Sequence, residues 1–240
     1  MRDKGSLDND KDIIKMKLNQ AFYRYKKLLI TLKYFIKCPK YLKRYLGDNF
    51  FHKRTEMPIK ITPFLKLTCP SPIDLGLPWF SYSAIDFLND YLKPFMSVFE
   101  WGSGGSSIYF ANRCKSVYSI ENNKQWYVSL QVKISKLFLS NLKLGLVEVG
   151  LTANEDDYIQ SIGSVKYDVI SVDGYEFSPE SRKLCFYKAE SNINPGGIII
   201  IDDSYLYEDI RKHNKAKRFM VLRSVGPARL GVTTTDVYFY

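Results

Sequence analysis

A glycine-rich junction within residues 98–111 constrains this chain more than any other stretch. An apolar run leads into Glu100, and Gly102, Gly104 and Gly105 follow it closely. We predict a buried strand, a turn and the start of a helix, because glycines let the backbone approach a ligand while helix N–H groups meet polar or anionic groups. Glu100 is placed to accept hydrogen bonds from a ligand or from the loop. An ordinary strand–turn–helix joint, which needs one glycine, is the alternative.

Acidic residues also end the other apolar, β-branched segments. They are Glu121 after residues 116–120, Asp173 after 167–172, and Asp202 and Asp203 after 198–201. The carboxyl ends of parallel strands border a ligand crevice, so we expect these acids on one rim, with a ligand, a cation or basic partners among them. Glu121 stands 17 residues after Gly104, a separation that suits a carboxylate binding both hydroxyls of a ribose; a solvated strand end is the alternative.

Hydrophobic periodicity predicts an α/β fold from residue 79 onward. We expect helices over residues 83–91, from the glycine turn to 112, and over 122–139 and 182–191, a strand at 144–149 and an acidic loop at 155–158. Strands at 218–225 and 232–240, joined by a short Gly/Pro connection, predict an antiparallel pair at the sheet edge. The chain divides into a basic helical extension (1–57), a proline-rich linker (58–78) and the α/β domain (79–240).

The net charge of +10 lies entirely in the first quarter of the chain. Residues 1–60 hold 16 Lys/Arg and 6 Asp/Glu, whereas residues 61–240 hold 19 of each. Residues 1–10 are predicted to be disordered, and a helix is predicted over 11–36. Its apolar stripe consists of Ile14, Leu18, Phe22, Tyr25, Leu29, Leu32 and Ile36, with Lys15, Arg24, Lys26, Lys27 and Lys33 on other faces.

Three interpretations of this helix stay open. It packs on the main domain, it lies on an anionic membrane surface through residues 11–46, or it forms an oligomerisation seam. Nucleic-acid binding is not favoured, because the rest of the chain supplies no second basic surface. The sequence leaves the oligomeric state open.

The composition indicates in which cellular compartment the protein resides and whether it holds a metal centre. Four scattered cysteines and two histidines predict reduced thiols and no histidine-rich metal centre. No apolar run approaches the roughly 18 residues of a membrane span, and the polar N-terminus lacks the apolar core of a secretory signal. We therefore expect a cytoplasmic protein, with peripheral contact at the inner membrane face as an option.

The chain resembles the class I S-adenosylmethionine-dependent methyltransferases over residues 79–240. The matching pieces are the motif Glu100–Gly105, the second-strand acid Glu121, the Val172–Gly174 strand end, Pro195–Gly197 before a strand, and the C-terminal hairpin. The resemblance implies a Rossmann-like, seven-stranded sheet that is parallel except for its last strand. It also implies an enzyme that transfers a methyl group from S-adenosylmethionine.

The resemblance assigns roles to particular residues. Gly102, Ser103 and Gly104 would approach the methionine portion of the cofactor, Glu100 would support that loop and the amino group, and Glu121 would bind the ribose hydroxyls. Asp173 would border both cofactor and acceptor. Apart from the resemblance, the aromatic Tyr82 at the domain entry either packs in the core or forms part of a ligand-pocket wall, and we include it in the predicted cofactor site. Asp173, Asp202 and Asp203 are the candidate catalytic residues for taking a proton from the acceptor.

The sequence of residues 99–104 and the run Thr233–Thr235 resemble a branch of this family that is linked to modification of small molecules and glycans. We therefore expect O-methylation of a small-molecule or saccharide acceptor. Metal-dependent catechol-type methyltransferases carry an Asp-Asn pair where this chain has Asp202-Asp203, and a catalytic lysine where it has Glu176. Three carboxylates could hold Mg²⁺. We favour the alternative, in which they bind backbone N–H groups and solvent at the strand ends, so a divalent metal is not favoured.

Two other functions stay open at this point. An NAD-type oxidoreductase would share the glycine turn and the ribose acid. A catalytically inactive methyltransferase-like interaction module would keep the fold and lose the chemistry.

Overall fold

A computed structural model describes the backbone of residues 4–51, 59–60, 68–150, 153–174, 178 and 180–240. Side chains are described for these residues other than 4–18, 51, 59–60 and 68–69. Glu176 and most of residues 52–67 therefore lie outside the described part of the chain.

Seven strands form the central sheet. They are β1 (Ser97–Trp101), β2 (Ser116–Glu121), β3 (Leu142–Leu146), β4 (Tyr167–Val172), β5 (Ile193–Ile201), β6 (Arg218–Ser224) and β7 (Thr233–Phe239). The strand order is β3-β2-β1-β4-β5-β7-β6. Strands β1 to β5 pair in parallel, and β7 is antiparallel to both β5 and β6. This arrangement confirms the predicted Rossmann-like sheet that is parallel except for its last strand.

Helices pack on the sheet, and a long helix precedes the sheet strands in the chain. They are α1 (Lys4–Lys37), α2 (Leu42–Leu46), α3 (Pro72–Leu75), α4 (Tyr82–Tyr91), α5 (Gly105–Ala111), α6 (Lys124–Leu137), α7 (Glu155–Gln160) and α8 (Ser181–Ala189). A π-helical turn lies at Gly47–Phe51, and 3₁₀ turns lie at Pro39–Tyr41 and Ser204–Leu206. Of the helices described, none is both long enough and apolar enough to cross a membrane.

The isoleucine run of β5 shows why the sheet is buried on both faces. Ile198 and Ile200 join the core that includes residues of α4 and α5, whereas Ile199 and Ile201 join the core that includes residues of α7 and α8. All four side chains are fully buried. Alternation along a strand sends successive side chains to opposite faces, so a continuous apolar run is what a strand between two helical layers requires.

Three predicted elements differ from the structure. The acidic segment 155–158 begins helix α7, because Asn154 and Asp157 exchange backbone-to-side-chain hydrogen bonds of 2.9 and 2.8 Å in a capping box. Strand β3 covers residues 142–146 and not 144–149, since its parallel partner β2 ends at Glu121, opposite Leu146. Strand β5 begins at Ile193, with an irregular register before Ile198.

Helix α1 differs most from the prediction. It begins at Lys4, within the segment predicted to be disordered. It packs on the domain through the face of Thr31, which is buried, and through Tyr34 and Phe35, which contact the core. The described members of the predicted apolar stripe point elsewhere and are 38–82% exposed: Phe22, Tyr25, Leu29, Leu32 and Ile36. The helix therefore docks, but not with its apolar stripe.

The predicted boundary between extension and domain stays a prediction, although residues on its two sides share one core. Tyr41 and Tyr45 are buried in the same cluster as Tyr82, and the rings of Tyr41 and Tyr82 stack at 5.6 Å. Among the cysteines whose side chains are described, Cys38, Cys114 and Cys185 are free thiols.

Candidate functional site

The glycine loop connects β1 to α5 and requires glycine at two positions for internal packing. Gly102 has φ +90°, and a Cβ there would lie 2.5 Å from the main-chain oxygen of Asp173. A Cβ at Gly105 would lie 2.1 Å from the main-chain oxygen of Pro72 in α3. Gly104 is different: its backbone is extended, and a Cβ would meet the Trp126 ring at an ordinary 3.5 Å. The close packing of β1, β4 and α3 thus explains two of the three glycines.

Glu100 stabilises the glycine loop through hydrogen bonds to α5 and does not line the cavity that the loop borders. Its fully buried carboxylate accepts hydrogen bonds from the hydroxyls of Ser106 and Ser107 at 3.0 and 3.1 Å. Burial raises the pKa of Glu100 to about 8, although the two hydroxyls lower it in part. These contacts connect the end of β1 to the first turn of α5; the predicted contact of Glu100 with a cofactor amino group stays a prediction.

Glu121 joins the glycine loop to the end of β2. One carboxylate oxygen accepts from the amide and hydroxyl of Ser103 at 3.1 and 2.9 Å, and the other accepts from the amides of Asn122 and Asn123 at 3.0 and 2.9 Å. Burial raises the pKa of Glu121, and these hydrogen bonds counteract the rise. The side chain is therefore fixed in orientation at the cavity wall.

Asp173, Asp202 and Asp203 meet at the adjacent strand ends, and two arginines lie among them. Arg229 contacts Asp202 at 3.3 Å and Asp203 at 2.9 Å, and Arg182 contacts Asp173 at 3.4 Å. Arg182 also donates to the main-chain oxygens of Gly174 and Asp202. Basic partners therefore compensate the crowded carboxylates, which is one of the outcomes that the sequence left open.

The pKa values of the three carboxyls are shifted in different directions. Burial raises the pKa of Asp173 to about 6, with Arg182 opposing the rise. Burial and the neighbouring Asp173 carboxylate raise the pKa of Asp202 well above its usual range, and Asp202 accepts a hydrogen bond from Thr235. Burial also acts on Asp203, but Arg229 and Thr233 outweigh it and leave its pKa below the usual value.

These elements surround a cavity of about 970 Å³. Of the predicted site residues, Gly102, Ser103, Gly104, Glu121, Asp173, Asp202 and Asp203 line it. Asn122, Asn123 and Trp126 border the end next to Glu121, and the Trp126 ring nitrogen donates to the main-chain oxygen of Ser103 at 2.7 Å. Helix α1 contributes Tyr23, Arg24 and Lys27 to the wall. The other lining residues include Trp79, Arg182 and residues 228–230.

Tyr82 corrects one part of the predicted site. Its side chain is fully buried in helix α4, where its hydroxyl donates to Asp48 at 2.8 Å and the Arg44 guanidinium lies over its ring. It does not line the cavity, because α4 turns this residue toward the helical extension. We therefore do not retain Tyr82 as a cofactor contact.

Sequence reasoning missed the basic residues of the cavity wall. Arg229 lies in a short turn and Arg182 near the start of a helix, and neither position carries a local signal for contact with distant acids. The sequence places Arg24 and Lys27 on non-apolar faces of α1, outside the apolar stripe. It does not predict that this side of the helix lines the cavity.

The carboxylates do not form a metal cluster. Within the described residues no group of three histidine, cysteine or acidic side chains is arranged to hold a metal ion. Arg229 instead lies between Asp202 and Asp203, so the donor set does not fit Mg²⁺ in this arrangement.

The fold has many solved counterparts, although no family model and no curated protein matches the sequence. A methyltransferase from Pyrococcus furiosus is 16% identical, with 83% of this chain and 94% of that chain covered and a TM-score of 0.51. A Streptococcus mutans protein assigned as a methyltransferase and crystallised with SAH is 13% identical, with coverages of 65% and 96% and a TM-score of 0.50.

A Clostridium thermocellum protein assigned as an rRNA methylase is 16% identical, with coverages of 67% and 96% and a TM-score of 0.50. At such low identities the comparison establishes the fold and leaves the activity to be argued from the site. The chain has the Rossmann-like fold found in these methyltransferase structures.

Proposed function

We propose that this protein is an S-adenosylmethionine-dependent methyltransferase. The observation that carries the proposal is the placement of Glu121 and the Ser103 loop side by side on the wall of a large cavity at the carboxyl ends of the parallel strands. The fold shared with methyltransferase structures, one of them crystallised with SAH, supports it.

The residues present fit the nucleoside part of this cofactor. A carboxylate offers about four acceptor positions, and those of Glu121 receive three main-chain amides and the Ser103 hydroxyl. Only the hydroxyl can turn away by rotation of its side chain, so Ser103 is the donor that a ribose hydroxyl would replace. Gly104 leaves its side of the loop free of a side chain toward Trp126.

When bound, S-adenosylmethionine supplies an electrophilic methyl group on a sulfonium centre. The chain must hold the acceptor and receive the proton that an acceptor hydroxyl loses. We propose Asp173 for this task, because its side chain is 19% exposed at the cavity and its pKa of about 6 leaves it mostly ionised near neutral pH. Asp202 and Asp203 are positioning residues in this proposal, since Arg229, Thr233 and Thr235 hold them.

We propose an oxygen of a small molecule or saccharide as the acceptor atom. The support is the presence of two aromatic side chains in the cavity lining, Tyr23 and Trp79, which offer surfaces for a sugar or aromatic ring. Methylation of a purified RNA with no methylation of sugars would refute this acceptor class.

Calorimetric titration tests the cofactor assignment. We expect SAH to bind, NAD not to bind, and Glu121→Ala to weaken SAH by at least about tenfold through loss of a charged hydrogen-bond acceptor. Tyr82→Phe is the matched control and should bind SAH as the wild type does. Binding of NAD alone would indicate an oxidoreductase, and binding of neither would indicate an interaction module.

We also propose that helix α1 contacts an anionic membrane surface. Its exposed stripe faces away from the domain, and helical geometry places Lys26, Lys33 and Lys37 beside that stripe. Two copies of such a basic surface would repel each other, so the charge favours a negatively charged lipid surface over self-association.

Vesicle flotation tests the membrane proposal. The wild type should float with vesicles containing phosphatidylglycerol and not with pure phosphatidylcholine, and Leu29→Ser with Ile36→Ser should abolish flotation. Val128→Ser, on the exposed side of α6, is the matched control. Point substitutions suit this test better than deletion of residues 1–57, because Tyr41 and Tyr45 belong to the domain core. Flotation of the double variant would refute the proposal.

A further inference from the structure

Two cations of helix α1 line the cavity without a described acidic partner. Among the cavity residues, Arg229 pairs with Asp202 and Asp203, Arg182 pairs with Asp173, and amides and a hydroxyl bind Glu121. Within the described part of the chain no carboxylate lies within 4.0 Å of Arg24 or Lys27. Their charge is available to whatever enters this end of the cavity.

Contacts between α1 and the turn before β7 position Lys27 at the cavity wall. The amide of Gly231 donates to the Thr31 hydroxyl at 2.7 Å, and that hydroxyl donates to the main-chain oxygen of Lys27 at 3.0 Å. The aliphatic part of Lys27 lies so close to Gly231 that a Cβ there would be 2.6 Å from its Cδ. The Lys27 ammonium also lies 5.4 Å from the centre of the Tyr23 ring.

We infer that the acceptor carries an oxyanion group, a phosphate or a carboxylate, that binds Arg24 and Lys27. This inference rests on the proposed methyl transfer and names the substrate class of that same cavity. A guanidinium and an ammonium donate charge-assisted hydrogen bonds to such groups, and unpaired cations on a cavity wall attract anions into it. The cofactor adds no net negative charge, since its single carboxylate is outweighed by its amino and sulfonium groups.

The test compares charged and neutral sugars on protein saturated with SAH. Glucose 6-phosphate, glucuronate and glucose are titrated calorimetrically into the wild type, Arg24→Met, Lys27→Met and the double variant. Methionine keeps the aliphatic stem that lies against Gly231 and removes only the charge. Lys26→Met, one residue away on an exposed face, is the matched control.

The wild type and Lys26→Met should bind at least one charged sugar at least about tenfold more tightly than glucose, and the double variant should lose this preference. The two charged probes distinguish a phosphate from a carboxylate. Equal binding of all three sugars by the wild type, absence of binding, or a preference retained in the double variant would overturn the inference.

A cofactor role for the same cations has its own signature. If Arg24→Met and Lys27→Met weaken SAH but not 5′-methylthioadenosine, which lacks the carboxylate, the cations bind the cofactor and the inference is wrong. Failure of the wild type to bind SAH at all would instead remove the proposed function, so the two failures are distinguishable.

Discussion

Replacing Arg229 by methionine removes the cation that compensates two carboxylates at once. Arg229 contacts Asp202 and Asp203, and its side chain is only 18% exposed. It also donates to the main-chain oxygen of Trp79. Methionine preserves much of the volume, so the substitution mainly leaves buried negative charge without a partner.

The expected loss of stability is about 3 kcal/mol near neutral pH. Removing one partner of a buried ion pair costs about 3–5 kcal/mol. We take the lower limit because the pKa of Asp202 is raised well above its usual range by burial, so part of its charge is already absent. Asp203 is the main source of the loss, because Arg229 keeps its pKa below the usual value despite burial.

The loss should depend on pH with a defined sign. In the wild type the depressed pKa of Asp203 contributes stability above the unfolded-state pKa of about 3.9, and this contribution disappears as pH falls through the folded-state pKa. In the variant the uncompensated carboxyl has a raised pKa, so stability is lost as pH rises through the acidic range. The difference between the two proteins should therefore be larger at about pH 7.5 than at about pH 5.

Urea unfolding at both pH values measures this difference. Arg223→Met, on the exposed edge strand β6, is the control and should change stability by no more than about 0.5 kcal/mol. A deficit for Arg229→Met below about 1 kcal/mol, or one that is equal at the two pH values, would refute the argument that Arg229 neutralises buried charge.

Three further predictions follow from single contacts. Gly102→Ala should destabilise the protein by more than about 2 kcal/mol, because the φ of Gly102 is +90° and a Cβ would clash with the end of β4. Gly104→Ala should cost less than about 1 kcal/mol. Urea unfolding measures both variants, and equal costs would contradict this prediction. Glu100→Gln should gain stability relative to the wild type as pH rises from about 5 to the folded-state pKa of about 8, by up to about 1.4 kcal/mol per pH unit. The reason is that the raised pKa of Glu100 makes the wild type lose stability over that range. Parallel pH profiles of the two proteins would contradict this prediction. Thr31→Val should leave the buried amide of Gly231 without its acceptor and loosen α1, which faster hydrogen exchange in α1 would show and unchanged exchange would refute.

Much of the fold could be predicted because burial on both faces of a parallel sheet leaves a local record. The apolar runs ending in acids marked β1, β2, β4 and β5, and the Gly/Pro connection marked the final hairpin. Boundaries were less accurate where pairing decided them, as in β3, which ends where β2 ends. Helix α7 was predicted as a loop because its acidic residues conceal a capping box that begins at Asn154.

The sequence could predict the acidic residues of the candidate site but not its arginines. The acids end strands, so strand parallelism alone brings Glu121, Asp173, Asp202 and Asp203 to one edge. Arg182 and Arg229 reach those acids through contacts between segments distant in sequence, and no local pattern records such a meeting.

The sequence by itself determined the periodicity of each element, the glycine turn and the sheet edge at which the carboxylates gather, because these follow from local backbone geometry and side-chain alternation. Only the tertiary structure decided which face of α1 docks. The docked face carries Thr31, whose hydroxyl accepts from the buried amide of Gly231, and Tyr34 and Phe35, which pack on the core. The apolar stripe stays exposed, and Arg24 and Lys27 reach the cavity. These contacts join segments that are distant in sequence, so no local pattern records them.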